Sequence, residues 1–239
     1  VDCGHTLHPR ERALVRGLTL PWRRMHILRH VEAALHVVSK TYATTPPERS
    51  RTAEKLARWE KQLTYVRGTI HRIESKLRNA LQKKLDTALD AEMLVTALFQ
   101  PSTKNLFMEM EAHFCRSERP PIDCEALSGL SMLPDLARAM ALVGDAALSL
   151  AILHHLWKEQ RLEVGRLTVG RANLVSNEHL AHICDDWKLY ENRIHFDPPT
   201  DSKSEIDHIK GTLVEAVYGA IYISHGLPEV QRLAARLIE

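Results

Sequence analysis

Apolar residues recur along most of the chain at intervals of three and four and almost nowhere in strict alternation, so helices are expected throughout and strands are not. The clearest stretch is Leu56, Trp59, Leu63, Val66, Ile70, Ile73 and Leu77, a heptad seam that Leu81, Leu85 and Leu89 continue at spacing four. Upstream, Ile27, Val31, Ala34, Leu35 and Val38 follow Pro21, read as the first helical residue, until Tyr42. There Ala43-Thr44-Thr45-Pro46-Pro47 breaks the pattern. Helix, proline turn and helix together predict an antiparallel hairpin over 21–89.

Beyond the hairpin the pattern changes. Residues 91–105 begin a new segment, and 106–135 read as an irregular insertion because Pro120-Pro121 and Ser128-Gly129 interrupt them. Residues 136–160 are apolar on most faces, as a central buried helix would be. Helices are expected over about 173–186 and 205–224, on either side of the polar loop Asp197-Pro198-Pro199-Thr200-Asp201-Ser202, with a short amphipathic helix over 229–238. The chain thus reads as all-α: an extension over 1–20, the hairpin over 21–89, and a helical domain over 90–239. Uninterrupted apolar runs fall short of the ~20 residues that cross a bilayer, so no membrane span is expected.

Charge divides the chain at the same place. Of its 239 residues, 1–90 carry 18 basic and 9 acidic side chains, and 91–239 carry 14 and 21, so a formal total of +2 hides halves of +9 and −7. A basic module joined to an acidic one suggests a polyanionic partner. Lys55, Arg58, Lys61, Arg67, Arg72, Lys76 and Arg78 lie outside the seam, and such a face serves an RNA backbone or a protein contact equally well. The first 31 residues hold six arginines against Asp2 and Glu11, a composition with the flavour of an organellar transit segment.

Two acids stand apart from this background. Asp145 sits in Leu142-Val143-Gly144-Asp145-Ala146-Ala147-Leu148, and Glu215 in Val214-Glu215-Ala216-Val217-Tyr218-Gly219-Ala220-Ile221. A carboxylate in so apolar a run is costly to desolvate unless it is paired or metal-bound. Two such acids on two buried helices either converge on a hard cation such as Mg²⁺ or each satisfy a structural partner. The histidines are less informative: His179 and His182, and His154-His155, lack the companion ligands of a zinc site. Cys3, Cys115, Cys124 and Cys184 are irregularly spaced in a chain able to bury its own core. Free structural thiols are therefore expected, in a reducing cytoplasmic or organellar (mitochondrial) interior and not in a secreted protein.

These residues resemble a known family. Gly144-Asp145-Ala146-Ala147-Leu148 looks like the signature of the ribonuclease III endonuclease domain, and Glu215-Ala216 with Gly219-Ala220-Ile221-Tyr222 looks like its second acidic motif. Leu94-Val95-Thr96-Ala97-Leu98-Phe99-Gln100-Pro101-Ser102 resembles the family's first helix and turn, and 167–177 with Leu180-Ala181 its middle helix. The common pattern has two further acids, where this chain has Ala141 and Thr212. The subfamily called Mini-ribonuclease III, which lacks a double-stranded-RNA-binding domain, shows Ala and Thr at those two positions and is a nuclease.

The resemblance implies an all-α ribonuclease III-type domain that cleaves double-stranded or structured RNA in RNA processing, such as that of ribosomal RNA. It also implies Asp145 and Glu215 as catalytic metal ligands for Mg²⁺, with Mn²⁺ as a substitute, and a homodimer through this domain. Arg171 and Asn177 fall near the family's catalytic valley and are RNA-contact candidates, although turn and capping roles suit them better. With the nuclease resemblance running to the end of the chain, the basic hairpin is left to supply the attraction for RNA. The alternative is a non-catalytic ribonuclease III-like protein, for example a component of the mitochondrial ribosome, whose hairpin contacts a ribonucleoprotein partner. Retention of both Asp145 and Glu215 favours the enzyme.

Overall fold

The computed structural model describes residues 20–46, 50–159, 163–198 and 200–238, so all of the expected 1–20 extension except Leu20 lies outside the described residues. The described residues are helical, with no strand and one isolated parallel bridge between Phe99 and Ile194. The chain begins with α1 (Ile27–Ala43) and α2 (Ser50–Arg72). A single π turn, Ile73–Leu77, carries α2 into α3 (Arg78–Leu85). All ten residues of the predicted seam, from Leu56 to Leu89, are buried, and α1 packs along α2 through Ile27, Val31, Ala34 and Val38. The hairpin therefore stands as expected.

Helix α1 starts six residues later than Pro21 suggested. Both carboxylate oxygens of Glu92 accept backbone hydrogens, from Met25 at 2.5 Å and His26 at 2.7 Å, and His26 adopts the left-handed conformation with φ 52°. A distant acceptor holds these amides, so the chain enters the helix only at Ile27.

Next come α4 (Ala91–Ala97), capped by Asp90 through the Glu92 and Met93 amides, and α5 (Lys104–Phe114) after a 3₁₀ turn at Pro101–Thr103. They are followed by α6 (Cys124–Ser131), capped by Asp123. The expected irregular insertion over 106–135 is thus mostly helical. Pro120-Pro121 only separates two short helices whose apolar residues, Leu106, Phe107, Met110 and Phe114, then Leu127 and Leu130, have helical spacing. Cys115 and Cys124 are joined by a disulfide, which corrects the free-thiol expectation. The end of α5 and the start of α6 bring two cysteines nine residues apart to a Cα separation of 5.9 Å, within bonding reach. Cys184 is free and buried, with its thiol pushed up to about 12 by burial.

The second half is built on α7 (Leu133–Glu159) and α11 (Lys203–His225), which form the most extensive helix pair in the molecule. Between them lie α8 (Val164–Leu174), α9 (Asn177–Asp186) and α10 (Leu189–Asn192). The single helix expected over 173–186 is two helices, because the Ser176 hydroxyl accepts the His179 amide and starts a new one. Gly226, at φ 78°, ends α11 in a conformation that disfavours L side chains, and α12 (Leu227–Ala234) closes the fold.

Helix α7 is not buried all round. Ala141, Leu148, Ala151 and Ile152 face the core, whereas Leu142, Leu150 and Trp157 are 72%, 53% and 59% exposed. Residues 133–157 also meet the length and composition of a membrane span, with mean hydropathy 1.7, although polar residues such as Asp135, Arg138 and Asp145 interrupt the apolar runs on which the opposite expectation rested. In this fold the stretch forms the core helix of the second half, with Leu148, Ala151 and Ile152 buried. Buried side chains of hairpin and second half form one continuous apolar cluster.

Candidate functional site

The two isolated acids meet where α7 crosses α11. A Cβ on Gly144 would lie 1.8 Å from the Glu215 carbonyl oxygen, and one on Gly219 would lie 2.0 Å from that of Met140. Both contacts are with backbone, so only glycine permits this approach, and the crossing sets Asp145, next to Gly144, beside Glu215. Both acids are partly exposed. Burial, and then the nearby Asp145 charge, push the Glu215 carboxyl up from 4.5 to about 7.

Asp145 is steadied from its own helix and from a neighbour. The Ser149 hydroxyl, one turn on, donates to Asp145 Oδ1 at 3.4 Å, and the Arg171 guanidinium of α8 donates to the Ser149 oxygen at 3.2 Å. Arg171 therefore acts within the site through Ser149, a residue that the sequence reading passed over although it lies four positions after Asp145, on the same helix face.

The substituted positions are quiet. Ala141 is buried, and the Thr212 hydroxyl donates to the His208 carbonyl at 3.0 Å on its own helix. Asn177 is the first residue of α9, after the Ser176 cap, with its Oδ1 against Gly211 of α11. It packs against α11 one residue from Thr212.

The donor set fits a divalent cation in kind. Two partly exposed carboxylates adjoin, and the Asp145 charge raises the cost of ionising Glu215, which a hard cation relieves. Among the described residues no group of three or more histidine, cysteine, aspartate or glutamate side chains converges, so such a cation would keep several waters.

The basic hairpin residues divide into two sets. Arg58 forms an ion pair with Glu109, and Lys55 Nζ lies 4.6 Å from the Trp59 ring centroid and 3.4 Å from His113 Nδ1. Arg72 Nε donates to Asn192 Oδ1 at 2.8 Å, and Lys84 pairs with Asp186 at 2.5 Å. These side chains fasten the hairpin to the second half. Lys61 and Lys76 are exposed, and neither they nor the half-buried Arg67 form an ion pair among the described residues.

Residues 138–226 match the family model of the Ribonuclease III domain. No curated protein matches the chain. The matched span begins two turns before Asp145 and ends at the glycine that closes α11, so it contains both acids, the glycine crossing and α8 to α10. Over residues 138–226, this chain is similar to the ribonuclease III domain.

Proposed function

We propose that the protein is an Mg²⁺-dependent endoribonuclease acting on double-stranded or structured RNA in RNA processing. The observation that carries this reading is the placement of Asp145 beside Glu215 at the Gly144–Gly219 crossing, within the matched domain. Asp145 and Glu215 would hold Mg²⁺, or Mn²⁺ in its place. Bound there, the cation offsets their repulsion and stabilises charge on the phosphate and on the leaving oxygen. The side chains supply orientation: Ser149 and Arg171 fix the Asp145 carboxylate, and the glycine crossing fixes the backbones on which both acids stand. With Ala141 and Thr212 in place of two acids, the site has less charge than a four-carboxylate site and a weaker hold on a second ion.

An exposed apolar ridge supports pairing of two copies through this domain. Leu142, Leu150 and Trp157 of α7 are 72%, 53% and 59% exposed and recur at helical spacing on one face. Such surface is costly to leave in water and suits a two-fold partner. Two copies would present two acid pairs, one for each strand of a duplex.

Cleavage of a duplex RNA in Mg²⁺ tests the proposal, comparing the parent with Asp145→Asn. Product from the parent and a loss of at least a hundredfold in the variant are expected. A parent that gives no Mg²⁺-dependent product would turn the reading to a non-catalytic, ribosome-associated one.

A further inference from the structure

Helices α7 and α11, which carry the acid pair, line a cleft of about 280 Å³ together with Arg193, Asp197, Pro198 and Thr200. Its position follows from helix geometry. Arg138 precedes Asp145 by seven residues on α7, and His208 precedes Glu215 by seven on α11. Both line the cleft about two turns, or roughly 10 Å, from the acids on the same helix faces. Thr212 and Ala216, on either side of Glu215 in the sequence of α11, also line the cleft.

Three kinds of surface converge there. Phe99, Pro101, Ile209 and Leu213 give an apolar wall. Tyr190 is covered by the Arg193 guanidinium, whose carbon lies 3.5 Å from the ring centroid, giving a flat cationic stack. Arg138 and His208 are exposed, and Arg138 has no ion pair among the described residues. The lining also holds two acceptors, Asp197, which receives the Ser102 hydroxyl at 2.9 Å, and Glu205, which receives that of Thr200 at 2.8 Å.

We infer that this cleft is a nucleotide subsite, taking one unpaired nucleotide of the RNA strand next to the acid pair. Its phosphate lies toward Arg138 and His208, and its base lies against the apolar wall and the Tyr190–Arg193 stack. The inference rests on the nuclease reading and adds a substrate preference to it. Free phosphate has no use for an apolar wall, and a wholly apolar ligand has none for three basic side chains and two carboxylates. A nucleotide has an anion, a flat π face and hydrogen-bonding edges together. The volume lies just below the ~300 Å³ at which pockets for drug-sized ligands begin, which suits one nucleotide. A base stacked and paired in a duplex cannot enter, whereas one already unpaired enters without the cost of unstacking. The protein should therefore prefer a duplex with a bulged nucleotide to the same duplex fully paired.

Two labelled duplexes identical except for one bulged nucleotide test this by fluorescence anisotropy, with Ca²⁺ in place of Mg²⁺ so that binding is read without hydrolysis. The parent should bind the bulged RNA at least tenfold more tightly, and Arg193→Ala should reduce the ratio to within twofold of one. Arg138→Glu, at an exposed position that leaves packing intact, should do the same. Equal binding of the two duplexes by the parent, or a preference that survives both variants, overturns the subsite. Mg²⁺ cleavage of the fully paired duplex is scored separately. If the parent fails to cut it, the nuclease reading falls while the anisotropy ratio still reports on the cleft.

Discussion

Glu215 and Glu229 are two glutamates of one fold with opposite responses to pH. Burial and the Asp145 charge raise Glu215 to about 7, so between about 4.5 and 7 the folded chain holds a proton that the unfolded chain has released. Stability must then fall as pH rises through that window, and level off above it. With chelator present, Glu215→Gln should remove this decline and stabilise the protein at pH 8 by about 1–2 kcal/mol, a figure reduced because solvent reaches the carboxylate. Thermal melts at pH 4.5 and 8 check it, and an unchanged slope in the variant would contradict the assignment. For Glu229 the sign reverses. Its hydrogen bond to Arg232 holds it at about 2, so its contribution is present above 4.5 and lost as pH falls toward 2. The isolation of Asp145 and Glu215 in apolar runs was legible in the sequence. Their mutual effect was not, because it depends on a helix crossing between residues 70 positions apart in the chain.

Among the helices, that crossing is the most exacting element. Gly144→Ala or Gly219→Ala would drive a methyl into a backbone carbonyl that cannot step aside, and each should cost about 3 kcal/mol or more and separate the two acids. Gly211→Ala meets instead the Asn177 side-chain oxygen, which can turn away, so a much smaller loss is expected. Denaturant titration of the three variants reads the difference. The hairpin was legible because a repeated three-and-four spacing needs only local geometry, and Leu56 to Leu89 are buried as that spacing required. The start of α1 was not legible. Its determinant, the Glu92 carboxylate on the Met25 and His26 amides, lies in another helix. The two helices within 106–135 were hidden by weight given to Pro120-Pro121, which breaks the chain at one place and leaves its flanks free to coil.

Over the whole molecule, the opposed charges of the two halves acquire a structural meaning. Part of the basic hairpin is spent on the second half through Arg58–Glu109, Lys84–Asp186 and Arg72–Asn192, leaving Lys61 and Lys76 exposed. Reversing Lys61 and Lys76 should weaken RNA binding and flatten its salt dependence with little change in stability. Reversing Arg58 should cost roughly 0.5–1 kcal/mol, as a solvent-accessible pair does. Binding that ignores Lys61 and Lys76 would make the hairpin a protein-contact element. The exposed apolar ridge of α7 belongs to the same scale. Leu142→Glu with Leu150→Glu should convert a dimer to monomers in sedimentation, and a parent already monomeric would remove the pairing.

The central claim is that the acid pair cuts RNA, and a single-turnover time course measures it most directly. A fully paired RNA duplex is incubated with excess parent protein or Glu215→Gln at saturating Mg²⁺, and products from both strands are resolved by length. Mg²⁺-dependent cuts on both strands by the parent, slowed at least a hundredfold in Glu215→Gln, are the predicted result. Equal cleavage by the two proteins, or none by the parent at any Mg²⁺ concentration, would contradict it.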